Sequence, residues 1–181
     1  MSKVPNIFLI GPMGSGKSTI GRHLSRELQM DFYDSDKEIE ESTGVSVAWI
    51  FDVEGEAGFR AREQKVIDTL TNNQGVILAT GGGAVLTPEN RNVLAARGIV
   101  VYLKVSLNEQ INRTEKSQNR PLLEKENIKE SLESLNADRE GYYLEIADFV
   151  FDTDERSAQS VVKDIVTRIR AGRYGNADTP S

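Results

Sequence analysis

The stretch GPMGSGKST at 11–19 holds the densest chemistry in this 181-residue chain. It satisfies G-x-x-x-x-G-K-[ST], lies directly after the apolar run NIFLI (6–10) and opens a helical pattern, which is the context the motif demands. Gly11, Gly14 and Gly16 let backbone N–H groups turn inward around phosphate oxygens, with Ser15 and Thr19 in the same cradle. The helix N-terminus adds partial positive charge there. Lys17 offers a compact cation to the β- and γ-phosphates, and Ser18 a hydroxyl to a Mg²⁺ ion bridging the same oxygens. A glycine-rich turn with an incidental lysine is the bland alternative, and the position between strand and helix speaks against it. These residues read as a nucleoside triphosphate site.

A second set of polar residues bears on what lies beside the phosphates. In DFYDSD (31–36), read as extended, Asp34 and Asp36 stand two apart and project to one face. One carboxylate can order a Mg²⁺ shell while the other accepts a hydrogen bond from a substrate hydroxyl. A capping box running Ser35-Asp36-Lys37-Glu38 is the structural rival. Arg60 and Arg139 are candidate anion handles, since a guanidinium fork meets a carboxylate with two parallel bonds. Taken alone, either is better explained as a solvated surface charge. Glu63, one turn after Arg60, can steady that fork or form an ordinary helix ion pair. Then TGGGAV (80–85) spends Gly81, Gly82 and Gly83 in a row, at roughly 0.5–1 kcal/mol apiece inside regular structure. Past the end of a strand in an open α/β sheet, bare backbone admits close approach of a ligand. A tight turn would need fewer glycines. His23, the only histidine, reads as solvated and Trp49 as packing.

Placing these residues together requires a sheet. Strand candidates fall at 6–10, 31–36, 76–80, 98–105 and 149–153. Helical patterns fall at Lys17–Leu28, Lys37–Thr43, Glu56–Thr71, from Pro88 to about Arg97, and at Ser157–Arg170, with a turn at Trp49–Phe51. Strands alternating with helices predict an α/β fold, a parallel sheet covered on both faces. The stretch from Lys37 to Asn73 is too long for one crossover and predicts a small helical subdomain, the region about 34–62 to which the resemblance described below gives the substrate. TEKSQNRPLLEKEN (114–127) is charged, and Pro121 pushes Arg120 towards an extended conformation. A mobile lid over about 113–127 is the natural reading, a solvated loop the bland one. A single domain over 1–172 is expected, with AGRYGNADTPS lacking apolar periodicity and 173–181 frayed.

Composition narrows the function classes. Acidic residues outnumber basic ones 28 to 22, for a formal charge of −6, which argues against a nucleic-acid surface. Absence of cysteine removes disulfides and thiolate metal sites and suits a reducing cytoplasm. No window approaches the ~20 apolar residues that span a bilayer, and MSKVPNIFLIGPMG is too short in apolar residues for a signal peptide. A cytoplasmic monomer with no nucleic-acid or membrane partner is expected. The N-K-x-D tetrapeptide of GTPases does not occur. A chain with room for a cradle and one small second site suits a kinase of a small molecule.

From NIFLIGPMGSGKSTIGR through FYDSD, FR-x-x-E (59–63), TGGGAV, RPLL (120–123) and R-x-x-Y-Y-x-E-x-A-D (139–148), the chain resembles the shikimate kinase family in spacing and order. The resemblance implies ATP-dependent phosphorylation of the 3-hydroxyl of shikimate, in aromatic amino-acid biosynthesis. It implies a three-layer P-loop fold of the nucleoside-monophosphate-kinase type, with a five-stranded parallel sheet, a helical substrate region and a lid. Asp36 then serves substrate hydroxyls and Asp34 the metal side, Arg60 and Arg139 hold the acceptor, and Gly82 binds it with Gly81 and Gly83 alongside. Lys17, Asp36 and Arg120 are the expected catalytic groups, Arg120 meeting the transferring phosphate as the lid closes and water is excluded. Arg113 and Arg156 fall where the family holds adenine. Two rivals stand beside this reading: another small-molecule P-loop kinase such as a gluconate kinase, and a nucleotide-binding regulatory module without catalysis.

Overall fold

Five short strands, β1 (Ile7–Ile10), β2 (Asp31–Asp34), β3 (Val76–Ala79), β4 (Ile99–Lys104) and β5 (Phe149–Asp152), pair in parallel in the order β2-β3-β1-β4-β5. The computed structural model describes residues 4–117 and 125–174. Among the described residues, seven α-helices connect or flank the strands: α1 (Lys17–Leu28), α2 (Ser35–Thr43), α3 (Val47–Thr71), α4 (Pro88–Arg97), α5 (Leu107–Ser117), α6 (Lys125–Ile146) and α7 (Ala158–Tyr174). Every residue of β1 and β3 is buried, as expected where helices cover both faces and the strands read as unbroken apolar runs.

Side chains alternate across the sheet. Ile7, Leu9, Ile77 and Leu103 face Ile20 and Leu24 of α1 and Val161 and Ile165 of α7. Phe8, Ile10, Leu78 and Tyr102 face Ile67 of α3, Leu94 of α4 and Tyr143 of α6. A third, separate cluster joins Ile39 of α2 to Ile50 and Phe59 of α3. It shares only Val66, at its margin, with the core beneath the sheet. Among the described residues, no helix is long and apolar enough to cross a membrane.

Several boundaries differ from the sequence reading, each for a local reason. β2 stops at Asp34 because that side chain turns to cap α2, accepting from the N–H groups of Asp36 at 3.0 Å and Lys37 at 3.3 Å. The capping box on Ser35 therefore does not form. Trp49–Phe51 is helical rather than a turn, since Ser46 Oγ accepts from the Trp49 N–H at 3.1 Å and opens α3. Gly55 breaks α3 with φ 73° and ψ 178°, a conformation essentially reserved for glycine. The arm beyond it matches the expected helix at 56–71. α7 continues to Tyr174, past the expected start of the tail; residues 175–181 lie outside the described residues. Of the expected lid, 113–117 end α5 and 125–127 begin α6. Residues 118–124, with Arg120 and Pro121, lie outside the described residues.

Candidate active site

β1 ends at the centre of the sheet and the chain turns there through Gly11, Gly14 and Gly16, with φ of 147°, 77° and 90°. Side-chain-bearing L-residues rarely hold such angles, so the glycines shape the loop from within. Lys17 folds back over it, its amine donating to the carbonyls of Gly11 at 2.6 Å and Pro12 at 2.9 Å. Burial pushes that amine down to about 8, partly offset by Asp36 and Asp34. Ser18 Oγ donates to Asp34 Oδ2 at 2.6 Å. Ser15 Oγ is buried with no partner among the described residues.

The loop is braced from across the sheet. Gln110 of α5 donates to the Met13 carbonyl at 2.8 Å and accepts from Asn136 of α6 at 2.8 Å. Arg113 donates to the Gly14 carbonyl at 2.8 Å and to Thr153 Oγ1 and O at 3.2 and 2.8 Å. It therefore fastens the loop to the residue following β5. Arg156 instead donates to Ser160 at 2.8 Å and Asp164 at 2.5 Å along α7. Thr19 lines the same cavity as Gly14, Gly16 and Lys17, a space of about 310 Å³ that Asp34, Asp36, Gly81 and Gly82 line as well.

Two hard oxygens, Ser18 Oγ and Asp34 Oδ2, thus meet on that cavity. They suit Mg²⁺, which takes one or two protein ligands and completes its octahedron with water and phosphate oxygens. No cluster of three or more acidic or histidine side chains that could hold a metal ion forms among the described residues.

On the acceptor side, Asp36 lies in the first turn of α2 rather than on an extended strand with Asp34. Both carboxylates still line one cavity, because the cap at Asp34 folds the chain over the loop. Asp36 Oδ1 is buried without a partner. Burial raises its pKa and Asp34 adds to that, while Lys17 and Arg60 oppose it. Arg60 Nη1 donates to Glu63 Oε1 at 2.9 Å and Nη2 to Glu56 Oε1 at 3.4 Å. Glu63 has no solvent exposure, and burial lifts its carboxyl to about 7 against the pull of Arg60. Arg60 Nε, Glu63 Oε2 and Arg139 Nε are buried and unpartnered as well. Unsatisfied buried polar atoms are scarce in native proteins. Here they gather around the triple glycine.

A Cβ at Gly81 would lie 2.9 Å from Asp36 Oδ1 and 3.1 Å from Glu63 Oε2. One at Gly82 would lie 3.3 Å from Arg139 Nη1, and one at Gly83 2.9 Å from Arg60 Cζ. The glycines therefore clear space first for the protein's own charged side chains, a role the sequence reading had given to a ligand alone. The Gly81 N–H is also committed internally, donating to Ser35 Oγ at 3.1 Å. The Gly81 carbonyl accepts from the Ala84 N–H at 3.1 Å, and the Gly82 carbonyl accepts from the Tyr143 hydroxyl at 2.5 Å. The Gly82 N–H has no partner among the described residues.

Sequence reasoning missed Ser35, Gln110 and Tyr143. Tyr143 follows Arg139 by four residues on one helix, a spacing that places them on one face. Gln110 carries no such local signal, because its contacts lie 26 and 97 residues away.

A phosphate cradle whose cavity also reaches Asp36 and the triple glycine, with unpartnered polar atoms of Arg60 and Arg139 close by, is the arrangement of a P-loop small-molecule kinase. The family model for shikimate kinase matches residues 13–170. A shikimate kinase of Legionella pneumophila is 58% identical over 164 residues, covering 91% of this chain and 94% of the relative. The solved shikimate kinase of Acinetobacter baumannii, in complex with shikimate, superposes with a TM-score of 0.87 at 45% identity, covering 93% of this chain and 94% of that one. A gluconokinase from Sinorhizobium meliloti shares the fold alone, with a TM-score of 0.62 at 15% identity over 98% of this chain and 100% of its own. This chain belongs to the shikimate kinase family.

Proposed function

We propose that the protein transfers the γ-phosphoryl group of ATP to the 3-hydroxyl of shikimate, giving ADP and shikimate 3-phosphate, with the residues around the triple glycine holding the acceptor. The observation that carries the site assignment is the group of buried, unpartnered polar atoms on Asp36, Arg60 and Arg139 beside the phosphate loop. Leaving such atoms unmet costs on the order of 1–3 kcal/mol each. A hydroxylated carboxylate meets them. Arg60 and Arg139 grip its carboxylate, and the free Gly82 N–H donates to it. Asp36 Oδ1 accepts the hydrogen bond of the attacking hydroxyl and takes its proton as the bond to phosphorus forms.

On the donor side, Lys17 and the inward N–H groups of Gly14, Ser15, Gly16, Ser18 and Thr19 hold the β- and γ-phosphates. Lys17 leaves the Gly11 and Pro12 carbonyls to do so. Mg²⁺, held by Ser18 Oγ with Asp34, would neutralise charge on the same phosphate oxygens. We assign Arg120 to the charge on the transferring γ-phosphoryl group, and Arg113 and Arg156 to the adenine. The bond from Arg113 to the Gly14 carbonyl supports its placement near the nucleotide. We assign the enzyme to the cytoplasm as a monomer, a reading that its cysteine-free sequence suits.

A coupled assay of ADP release, with shikimate, with gluconate and with neither, tests the assignment. ADP should form with shikimate only. Turnover indifferent to shikimate overturns the reading.

A further inference from the structure

Tyr143 stands where the two halves of acceptor recognition meet, and the catalytic scheme above gives it no part. Its side chain is 1% exposed and stacks on Tyr102 with ring centroids 5.0 Å apart. Its hydroxyl donates to the Gly82 carbonyl at 2.5 Å. The guanidinium of Arg139, one helical turn earlier on α6, lies beside the same glycine, its Nη1 3.3 Å from where a Cβ on Gly82 would stand, and its charge acts on the Tyr143 hydroxyl. We propose that Tyr143 is a positioning residue for acceptor binding, a single hydroxyl that sets the direction of both the Gly82 backbone and the Arg139 fork. The inference rests on the acceptor reading above.

The geometry leaves this hydroxyl no freedom. A phenol offers one proton and two lone pairs. With the proton committed to Gly82, only acceptor capacity is left on this oxygen, so any guanidinium N–H that approaches it does so as a donor. Gly82 has no side chain with which to steady its own peptide, and a Cβ there would lie 3.3 Å from Arg139 Nη1. Backbone and guanidinium are thus close neighbours whose relative placement needs an outside reference. The ring supplies it, fixed in the core against Tyr102 and away from solvent. Burial pushes the phenol above its ordinary range, so the donated proton stays in place throughout neutral and mildly alkaline pH. A fork aligned before its substrate arrives forfeits less entropy on binding. That gain should appear in acceptor affinity and leave the nucleotide untouched.

Tyr143→Phe keeps the ring and deletes only the hydroxyl. Loss of one hydrogen bond that orients a charged group should raise the shikimate KM about ten-fold, with kcat changed less and the ATP KM within about two-fold. Tyr142→Phe makes the same chemical change one residue earlier, where the ring packs under Arg91 at 4.2 Å, and should leave the shikimate KM alone. Shikimate amide, in which the carboxylate is replaced, should bind wild type and Tyr143→Phe with similar affinity, because the effect passes through Arg139. A shikimate KM unmoved in a folded Tyr143→Phe, or equal rises for both substrates, overturns the proposal. A 3-fluorotyrosine placed at 143 gives a second readout that does not depend on the Phe variant folding. Its ¹⁹F resonance should shift on titration with shikimate and stay fixed with the amide, and a resonance indifferent to shikimate overturns the proposal too. If wild type itself shows no shikimate-dependent turnover, it is the acceptor reading that has failed.

Discussion

In the phosphate loop the principal cation is answered nearby, Lys17 donating to Gly11 and Pro12, six and five residues back. Around the triple glycine, Asp36, Arg60, Glu63 and Arg139, drawn from three helices, each keep a buried polar atom with no partner. The loop takes its shape from its own positive-φ glycines, so its form is local and largely complete before any ligand arrives. The proposed acceptor pocket is a meeting of distant residues packed against one another, and several of its buried polar atoms have no partner among the described residues. One half is built by backbone conformation and the other by tertiary packing, and they should fail differently.

The largest expected effect is on chemistry. Lys17→Met should lower kcat on the order of 10³-fold, while calorimetry still detects shikimate binding. Loss of both would mean that the halves are not separable. Next, Arg60→Ala or Arg139→Ala should raise the shikimate KM about 10- to 100-fold and spare the ATP KM. Damage to both would point to misfolding and erase the distinction. A smaller effect is expected of Gly83→Ala, whose Cβ would push on the Arg60 guanidinium. The shikimate KM should rise several-fold, and more than for Gly82→Ala, where the nearest atom is the far end of Arg139.

The smallest effect concerns stability. Glu63, ordinarily near 4.5, is lifted to about 7 by burial. Between those values the folded state holds more protons than the unfolded one, so stability should fall as pH rises through that window. Asp36, raised in the same direction, adds to the slope. Glu63→Gln should flatten it in a series of melting temperatures from pH 5 to pH 7. An unchanged slope would detach Glu63 from the strain of the acceptor side.

The same contrast explains what the sequence disclosed. The motif at 11–19 and helix Lys17–Leu28 were legible because spacing and backbone preference are local, and the apolar runs of β1, β3 and β4 announced a buried parallel sheet. Asp34 and Asp36 do line one cavity, but through a helix cap that folds the chain and not through the extended pair that the sequence suggests. The triple glycine was noticed, but its neighbours Asp36, Glu63 and Arg60 occupy space that only the tertiary structure reveals. α6 announced itself poorly because among its described residues only Leu132 and Tyr143 are buried, too sparse a stripe to read as a periodic face. Arg139 was found through its motif, and its nearness to Gly82 only through the fold.

The small cluster of Ile39, Ile50 and Phe59 gives the arms of α2 and α3 an anchorage of their own, joined to the main core at Val66. Substitutions among those arms can reshape the wall that meets the acceptor without disturbing the sheet that aims the phosphate loop. Preference for an alcohol can therefore drift on a foundation that keeps the phosphoryl donor constant, and a single scaffold can acquire new customers while its engine stays as it was.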